Sequence, residues 1–195
     1  MRTINHFEQN RPVHLARRDV YFERAAELVQ TGERGFVQEI QAEDYEEILF
    51  LLRVARQHAR FSIRETGKNE RDEQFGSFIN LLAGNVKAVL SMLTLKGVVE
   101  NPEGSFISFL GANQASVALQ AEEYQRRAND VTRSINKTLR LAEEPFERLK
   151  EAYTSSAPGE DLTRYKQARE HFAALIRDGR HRYKIAPSPR KIAHF

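Results

Sequence analysis

Regularly spaced cationic side chains are the residues of this sequence best suited to a chemical task. Arg53, Arg56, Arg60 and Arg64 follow one another at intervals of three, four and four residues, so they lie in one row along a helix. Such a row can contact consecutive phosphates of a polyanion and release their counterions. Cations near a helix C-terminus also stabilise its negative end, so a solvated helix end is the alternative interpretation.

A second row of cations lies further along the chain. Arg126, Arg133, Lys137 and Arg140 are spaced by seven, four and three residues, which again predicts one helical face. A solvated outer face is the alternative interpretation here too. The two rows together favour a polyanionic partner.

The C-terminal segment is the most basic part of the sequence. From residue 177 onwards, six lysines and arginines stand against one acidic residue. Ser188-Pro189-Arg190-Lys191 resembles the Ser-Pro-basic-basic elements of chromatin-type tails, which lie along the minor groove of DNA. We expect the arm to contact phosphates through Arg182, Lys184, Arg190 and Lys191.

Residues typical of catalytic or metal sites are sparse. The chain has no Cys, no Gly-rich phosphate loop, no His-Glu-x-x-His and no Gly-x-Ser-x-Gly. None of the six histidines stands three or four residues from another, the spacing that places two ligands on one helical face. The acidic residues between Glu43 and Glu47 are explained by the positive end of a helix. We therefore predict a protein that is not an enzyme, with no catalytic residue, metal ion or cofactor.

The apolar spacing of the sequence predicts an all-α fold of about five helices. The chain has 195 residues, of which 41% are hydrophobic and 29% charged, as is typical of amphipathic helices around one core. We predict an N-terminal arm over 1–18, a helical domain over 19–178 and a basic tail over 179–195. The predicted helices cover about 19–31, 43–66, 72–96, 117–153 and 161–177, with a kink or restart at Pro145 and a linker at 154–159.

Residues 98–109 are predicted to form a short β-hairpin. Gly97 is expected to end the third helix, and Asn101-Pro102-Glu103-Gly104 has the composition of a type I turn between β-prone flanks. Together with the helix before it, this segment resembles the recognition helix and wing of a winged-helix DNA-binding domain over residues 75–110. The resemblance implies a DNA-binding regulator in which Lys87 and Ser91 would face the bases.

No segment of the sequence matches an export signal or a membrane span. Residues 1–6 lack the apolar core of a signal peptide, and the densest apolar run, 48–52, has five residues. We expect a cytoplasmic protein, or its equivalent in a virus, with no membrane partner.

Two functions stay open on the sequence alone. The first is a non-catalytic, nucleic-acid-associated protein that uses both basic rows and the C-terminal arm. The alternative is a helical assembly subunit, for example a virion, secretion or adaptor component, whose arms dock on neighbouring protein subunits. In either case we expect a homo-oligomer or a part of a larger complex. The docking anchors in the tail would be Tyr183, Ile185, Ile192 and Phe195.

Overall fold

The computed structural model describes residues 11–34, 42–66, 69–100 and 114–180, and these residues form five helices without a strand. The prediction of an all-α fold is confirmed for them. The helices are α1 (Arg11–Arg34), α2 (Ala42–Thr66), α3 (Glu70–Glu100), α4 (Gln114–Ser156) and α5 (Gly159–Arg177).

The helices pack as neighbours in a bundle built on the long pair α3 and α4. Asn85 contacts Ser134 and Lys96 contacts Gln125, so α3 and α4 run antiparallel. α2 packs between α3 and α1, and α1 also packs against α5. Asp19 contacts Tyr165 and Glu23 contacts Arg169, so α1 and α5 run parallel.

Three phenylalanine rings from three helices form the centre of the core. Phe22 of α1 lies 4.9 Å from the ring centroid of Phe75 of α3 and 4.8 Å from that of Phe146 of α4. The rings of Phe75 and Phe146 are 5.3 Å apart. All three side chains are buried, and edge-to-face and offset contacts of this kind stabilise beyond the area they bury.

The predicted N-terminal arm is wrong for residues 11–18. The first helix begins at Arg11, not at Asp19, and Leu15 and Ala16 pack in a buried cluster with Tyr165 of α5. An arm was predicted because the segment contains Pro12 and has a polar, basic composition. In the structure the cations of Arg17 and Arg18 contact the rings of Tyr21 and Phe75. Residues 1–10 lie outside the described residues.

The predicted β-hairpin is wrong for residues 98–100. α3 continues through Gly97 to Glu100, and Val99 is buried in its last turn. Burial of Val99 offsets the low helix propensity of Gly97. Residues 101–109 lie outside the described residues, so the winged-helix resemblance over 75–110 stays a prediction.

α4 passes through Pro145 as one continuous helix of 43 residues, so of the two predicted effects of this proline the restart is wrong. The predicted linker is also mostly helical, since only residues 157 and 158 separate α4 from α5. Thr154 and Ser156 donate their hydroxyls to the carbonyls of Lys150 and Ala152, four residues earlier in the same helix, so their side-chain hydrogen bonds do not form the predicted turn. The predicted bounds of the second and the last helix are confirmed to within two residues.

The expectation that no segment matches a membrane span in length and composition is wrong for α3. Among the described residues it is the one helix long and apolar enough, by length and composition alone, to cross a membrane, a criterion that core helices also satisfy. Only 22% of its most apolar stretch is buried in the bundle, so apolar side chains such as Leu81, Leu95 and Val98 face outward. The absence of a membrane partner stays a prediction.

Candidate functional site

Acidic neighbours on α4 already hold two cations of the second basic row. Arg126 donates to Glu123 at 2.8 Å and lies 3.5 Å from Asp130, and Arg133 donates to Asp130 at 3.0 Å. Hydrogen bonds from Arg126 and then Arg127 lower the pKa of the Glu123 carboxyl to about 2. These surface pairs are screened by solvent, so they fix side-chain directions more than they stabilise the fold. For Arg126 the structure favours the solvated-face interpretation, whereas Arg133 is paired with Asp130 and also lines a groove on α4.

The rest of this row lines a groove on the surface of α4. The groove measures about 330 Å³, and its described lining residues include three cations and an amide but no carboxylate. Lys137 is exposed and makes no ion pair with any residue in the described ranges. The cations converge because their spacing repeats the helical turn. The lining residues are Arg133, Asn136, Lys137, Arg140 and Leu141.

The first basic row lies on α2 and contributes no residue to the described lining of that groove. Arg53 and Arg60 are exposed, and no ion pair within the described part of the chain involves them. Arg56 is half-buried, and its Nε is inaccessible and has no hydrogen-bond partner among the described atoms. α2 therefore presents two solvated cations and a third that lies partly within the bundle.

The four cations assigned to the C-terminal arm lie outside the described residues. Arg182, Lys184, Arg190 and Lys191 all follow residue 180, where the described chain ends. Their contribution to a binding surface stays a prediction. Of the cations in the two rows and the arm, the structure brings Arg133, Lys137 and Arg140 together in one groove.

A buried polar network connects α1 to α3, and no local pattern of residues predicted it. Arg18 donates from Nε to Oδ1 of Asp19 at 2.7 Å, and these two side chains are only 2% and 1% exposed. The Arg18 guanidinium also lies 3.5 Å from Asp72 and stacks over the ring of Phe75. Burial raises the pKa of the Asp72 carboxyl, while the charge of Arg18 opposes that rise.

The same network continues from α1 into α5 and α4. Tyr165 donates its hydroxyl to the second oxygen of Asp19 at 2.6 Å. Glu23 accepts from Arg169 at 2.6 Å and from Lys150 at 3.0 Å. These groups satisfy one another inside the bundle, so we assign them to holding four helices together and not to catalysis.

Two histidines that are distant in sequence meet between α1 and α2. The Nδ1 atoms of His14 and His58 are 2.9 Å apart, and both rings pack against Phe61. Burial, followed by the charge of Arg17, lowers the pKa of both imidazoles, that of His58 to about 3. Two imidazoles are fewer than the three or four protein ligands of a typical zinc site. The described residues contain no cluster of three or more metal-ligating side chains.

Comparison with known proteins adds no family to this description. No protein-family model matches the chain, and no curated protein or solved structure is significantly similar to it. We therefore infer a function from the contacts, burial and charges of this chain alone.

Proposed function

We propose that this chain is a non-catalytic protein that binds nucleic acid through its phosphates. The observation that carries the proposal is the groove on α4, where Arg133, Lys137 and Arg140 line one concavity without a carboxylate among the described lining residues. A concave cluster of cations concentrates positive potential and attracts a polyanion. The exposed Arg53 and Arg60 of α2 and the four arm cations add contacts that do not depend on base sequence.

The binding mode expected from such contacts is electrostatic. Each phosphate that a cation neutralises releases counterions, so affinity falls steeply as salt rises. Lys137 makes no ion pair within the described ranges, so it needs no exchange of partners before it meets a phosphate. Arg126 would first have to leave Glu123 and Asp130. We therefore assign Lys137 a larger share of the binding than Arg126.

Fluorescence anisotropy of labelled duplex DNA, single-stranded DNA and RNA tests the proposal with the full chain. We expect binding that weakens by orders of magnitude between about 50 and 300 mM salt. Lys137→Glu should weaken binding several-fold at low salt and lower the salt slope by about one. Lys166→Glu makes the same charge change at an exposed position of α5 and is the matched control. Equal effects of the two substitutions, or no binding at 50 mM salt, would overturn the proposal.

A second candidate function is a helical assembly subunit, and the exposed apolar residues favour it. In the described part of the chain every exposed large hydrophobic side chain lies on α3 or α4. These residues are Leu81, Leu95 and Val98 on α3, and Leu119 and Leu141 on α4. Leu81 and Leu95 are each seven residues from Ala88, so they share one face of α3 with it. A second copy of this chain fits the face, because two antiparallel α3 helices can pair each leucine with the other around Ala88.

Sedimentation velocity over a range of protein concentrations tests that second function. We expect a concentration-dependent dimer that persists in high salt, since apolar contacts are not screened. Leu81→Glu should dissociate it, whereas Leu119→Glu on α4, a leucine that is even more exposed than Leu81 but lies outside the α3 face, should leave it intact. A monomer at all concentrations would exclude this interface.

A further inference from the structure

Parallel packing of α1 and α5 leaves a groove on the outside of the bundle. The groove measures about 620 Å³, within the range of about 300–1,000 Å³ in which ligand pockets fall. Val20 of α1 and Ala173 and Ile176 of α5 supply its apolar lining. Its charged lining residues are Glu23, Arg24, Glu27 and Arg177.

The chain turns back at the end of α5, directly beside this groove. Gly179 adopts a left-handed conformation with φ of 66°, which suits a residue without a Cβ. Its N–H donates to the carbonyl of Ile176, and the N–H of Arg180 donates to that of Leu175, both at 2.9 Å. This pair of bonds forms a Schellman motif, which ends the helix and reverses the chain. The segment after residue 180 therefore begins within one helical turn of Ile176 and Arg177, which line the groove.

The sequence that follows has the composition of a segment that binds such a groove. Residues 181–195 contain four lysines and arginines and no acidic residue. The groove carboxylates already have partners, since Glu23 accepts from Arg169 and Lys150 and Glu27 accepts from Arg24. The cations of the arm would therefore have to share these acids or exchange with their partners. The apolar residues that can enter between the charges are Tyr183, Ile185, Ile192 and Phe195.

We propose that residues 181–195 dock in cis in the groove between α1 and α5. The length of the segment allows this, since fifteen extended residues span about 50 Å and α5, with 19 residues, is about 28 Å long. In the docked state the side chains of Tyr183 and Ile185 contact Ala173 and Ile176. Docking itself does not depend on the proposed function. Its effect on nucleic-acid binding rests on the proposed function. Cations of the arm that are held in the groove cannot contact phosphates, so docking inhibits the binding of nucleic acid by the arm.

Cross-linking of the full chain tests the docking, and the absence of native cysteine makes it specific. Ala173→Cys, exposed in the groove, is combined with Ile185→Cys in the arm. The matched control combines Ile185→Cys with His171→Cys, an exposed position on the same helix that does not line the groove and lies at a similar distance along the chain from the arm. Oxidation at low protein concentration is followed by non-reducing electrophoresis and peptide mass spectrometry. We expect the Ala173 pair to form an intramolecular disulfide at least tenfold faster than the His171 pair. Equal rates, or a disulfide found only between two chains, would overturn docking in cis.

Addition of duplex DNA to the same experiment separates this inference from the proposed function. If the arm docks and also binds DNA, the duplex should slow formation of the Ala173–Ile185 disulfide several-fold at low salt. A fast disulfide that DNA does not affect supports docking and counts against the proposed function. DNA binding without preferential cross-linking at Ala173 would support the proposed function and overturn only the docking.

Discussion

The hydroxyl of Tyr165 donates a 2.6 Å hydrogen bond to Oδ2 of Asp19, from which it is separated by 146 positions in sequence. Arg18 occupies the other oxygen of the same carboxylate. Both oxygens of a side chain that is only 1% exposed are therefore satisfied. A buried carboxylate without these donors would carry a large desolvation cost, so this contact ties the position of α5 to that of α1.

Removal of the Tyr165 hydroxyl should destabilise the fold markedly. Tyr165→Phe keeps the ring but leaves one oxygen of a buried carboxylate unpaired, at a cost of about 1.5–3 kcal/mol in the free energy of unfolding. Urea denaturation followed by circular dichroism measures this change. Tyr153→Phe is the control, because the Tyr153 hydroxyl is buried without a hydrogen-bond partner among the described residues. The contact has no energetic role if the two variants unfold at the same urea concentration.

The free energy of unfolding should fall when Asp19 of the buried Arg18–Asp19 ion pair is replaced, and it should partly recover when both partners are replaced. Asp19→Asn leaves the Arg18 guanidinium buried with only the more distant Asp72 to balance it, and we expect a loss of about 3 kcal/mol. Arg18→Met in the same chain removes that uncompensated charge and should restore part of the loss. Glu144→Gln on the exposed Arg148–Glu144 pair should change the unfolding free energy by less than about 1 kcal/mol. A double variant less stable than Asp19→Asn would contradict this account.

Acid should weaken the contact between α1 and α2 at the histidine pair. Burial and Arg17 lower the pKa of His58 to about 3, below its ordinary value of 6.5. Above pH 6.5 both folded and unfolded chains have a neutral imidazole, so the pair adds no pH dependence. Below pH 6.5 the unfolded chain binds a proton that the folded chain excludes, so stability falls as pH drops towards 3.

Unfolding free energies measured between pH 7 and pH 4 test this prediction. We expect the loss of stability over that range to be smaller in His58→Leu than in the unmodified chain. The variant lacks the imidazole that only the unfolded chain protonates. Gln57→Leu, at the exposed neighbouring position, should keep the original pH profile. Identical profiles for His58→Leu and the unmodified chain would show that the histidine pair does not control acid stability.

Pro145 should lower the stability of α4, because a proline inside a helix removes one hydrogen bond and crowds the preceding turn. We expect Pro145→Ala to raise the free energy of unfolding by about 1–3 kcal/mol, with an unchanged helical signal in circular dichroism. Pro158 precedes α5, so Pro158→Ala should lower stability by no more than about 1 kcal/mol. A less stable Pro145→Ala variant would mean that the bundle requires a bend at this position.

Local spacing in the sequence predicted which segments form helices. Tyr45, Ile48, Leu52 and Ala55 repeat at helical intervals, and α2 lies where this spacing predicted it. The same holds for α5, whose bounds were predicted to within two residues. A helix forms hydrogen bonds within one segment, so its existence can be inferred from neighbouring residues.

The sequence was misleading where local signals were outweighed by packing. Gly97 and Pro145 are expected to interrupt helices, yet burial on the bundle keeps both within one. Arg18 and Asp19 look like the solvated start of a helix, yet they are among its most buried residues. Their partners, Asp72 and Tyr165, lie on other helices and leave no local trace.

The sequence by itself therefore determined the helical class of this protein and the rows of cations that its helices carry. Only the tertiary structure decided which charged and polar groups pack together, as Arg18 does with Asp72 of α3 and Asp19 does with Tyr165 of α5. It also decided the meeting of His14 with His58, 44 residues away. The physical reason is that helix periodicity is a property of adjacent residues, whereas burial and charge pairing depend on how separate helices pack.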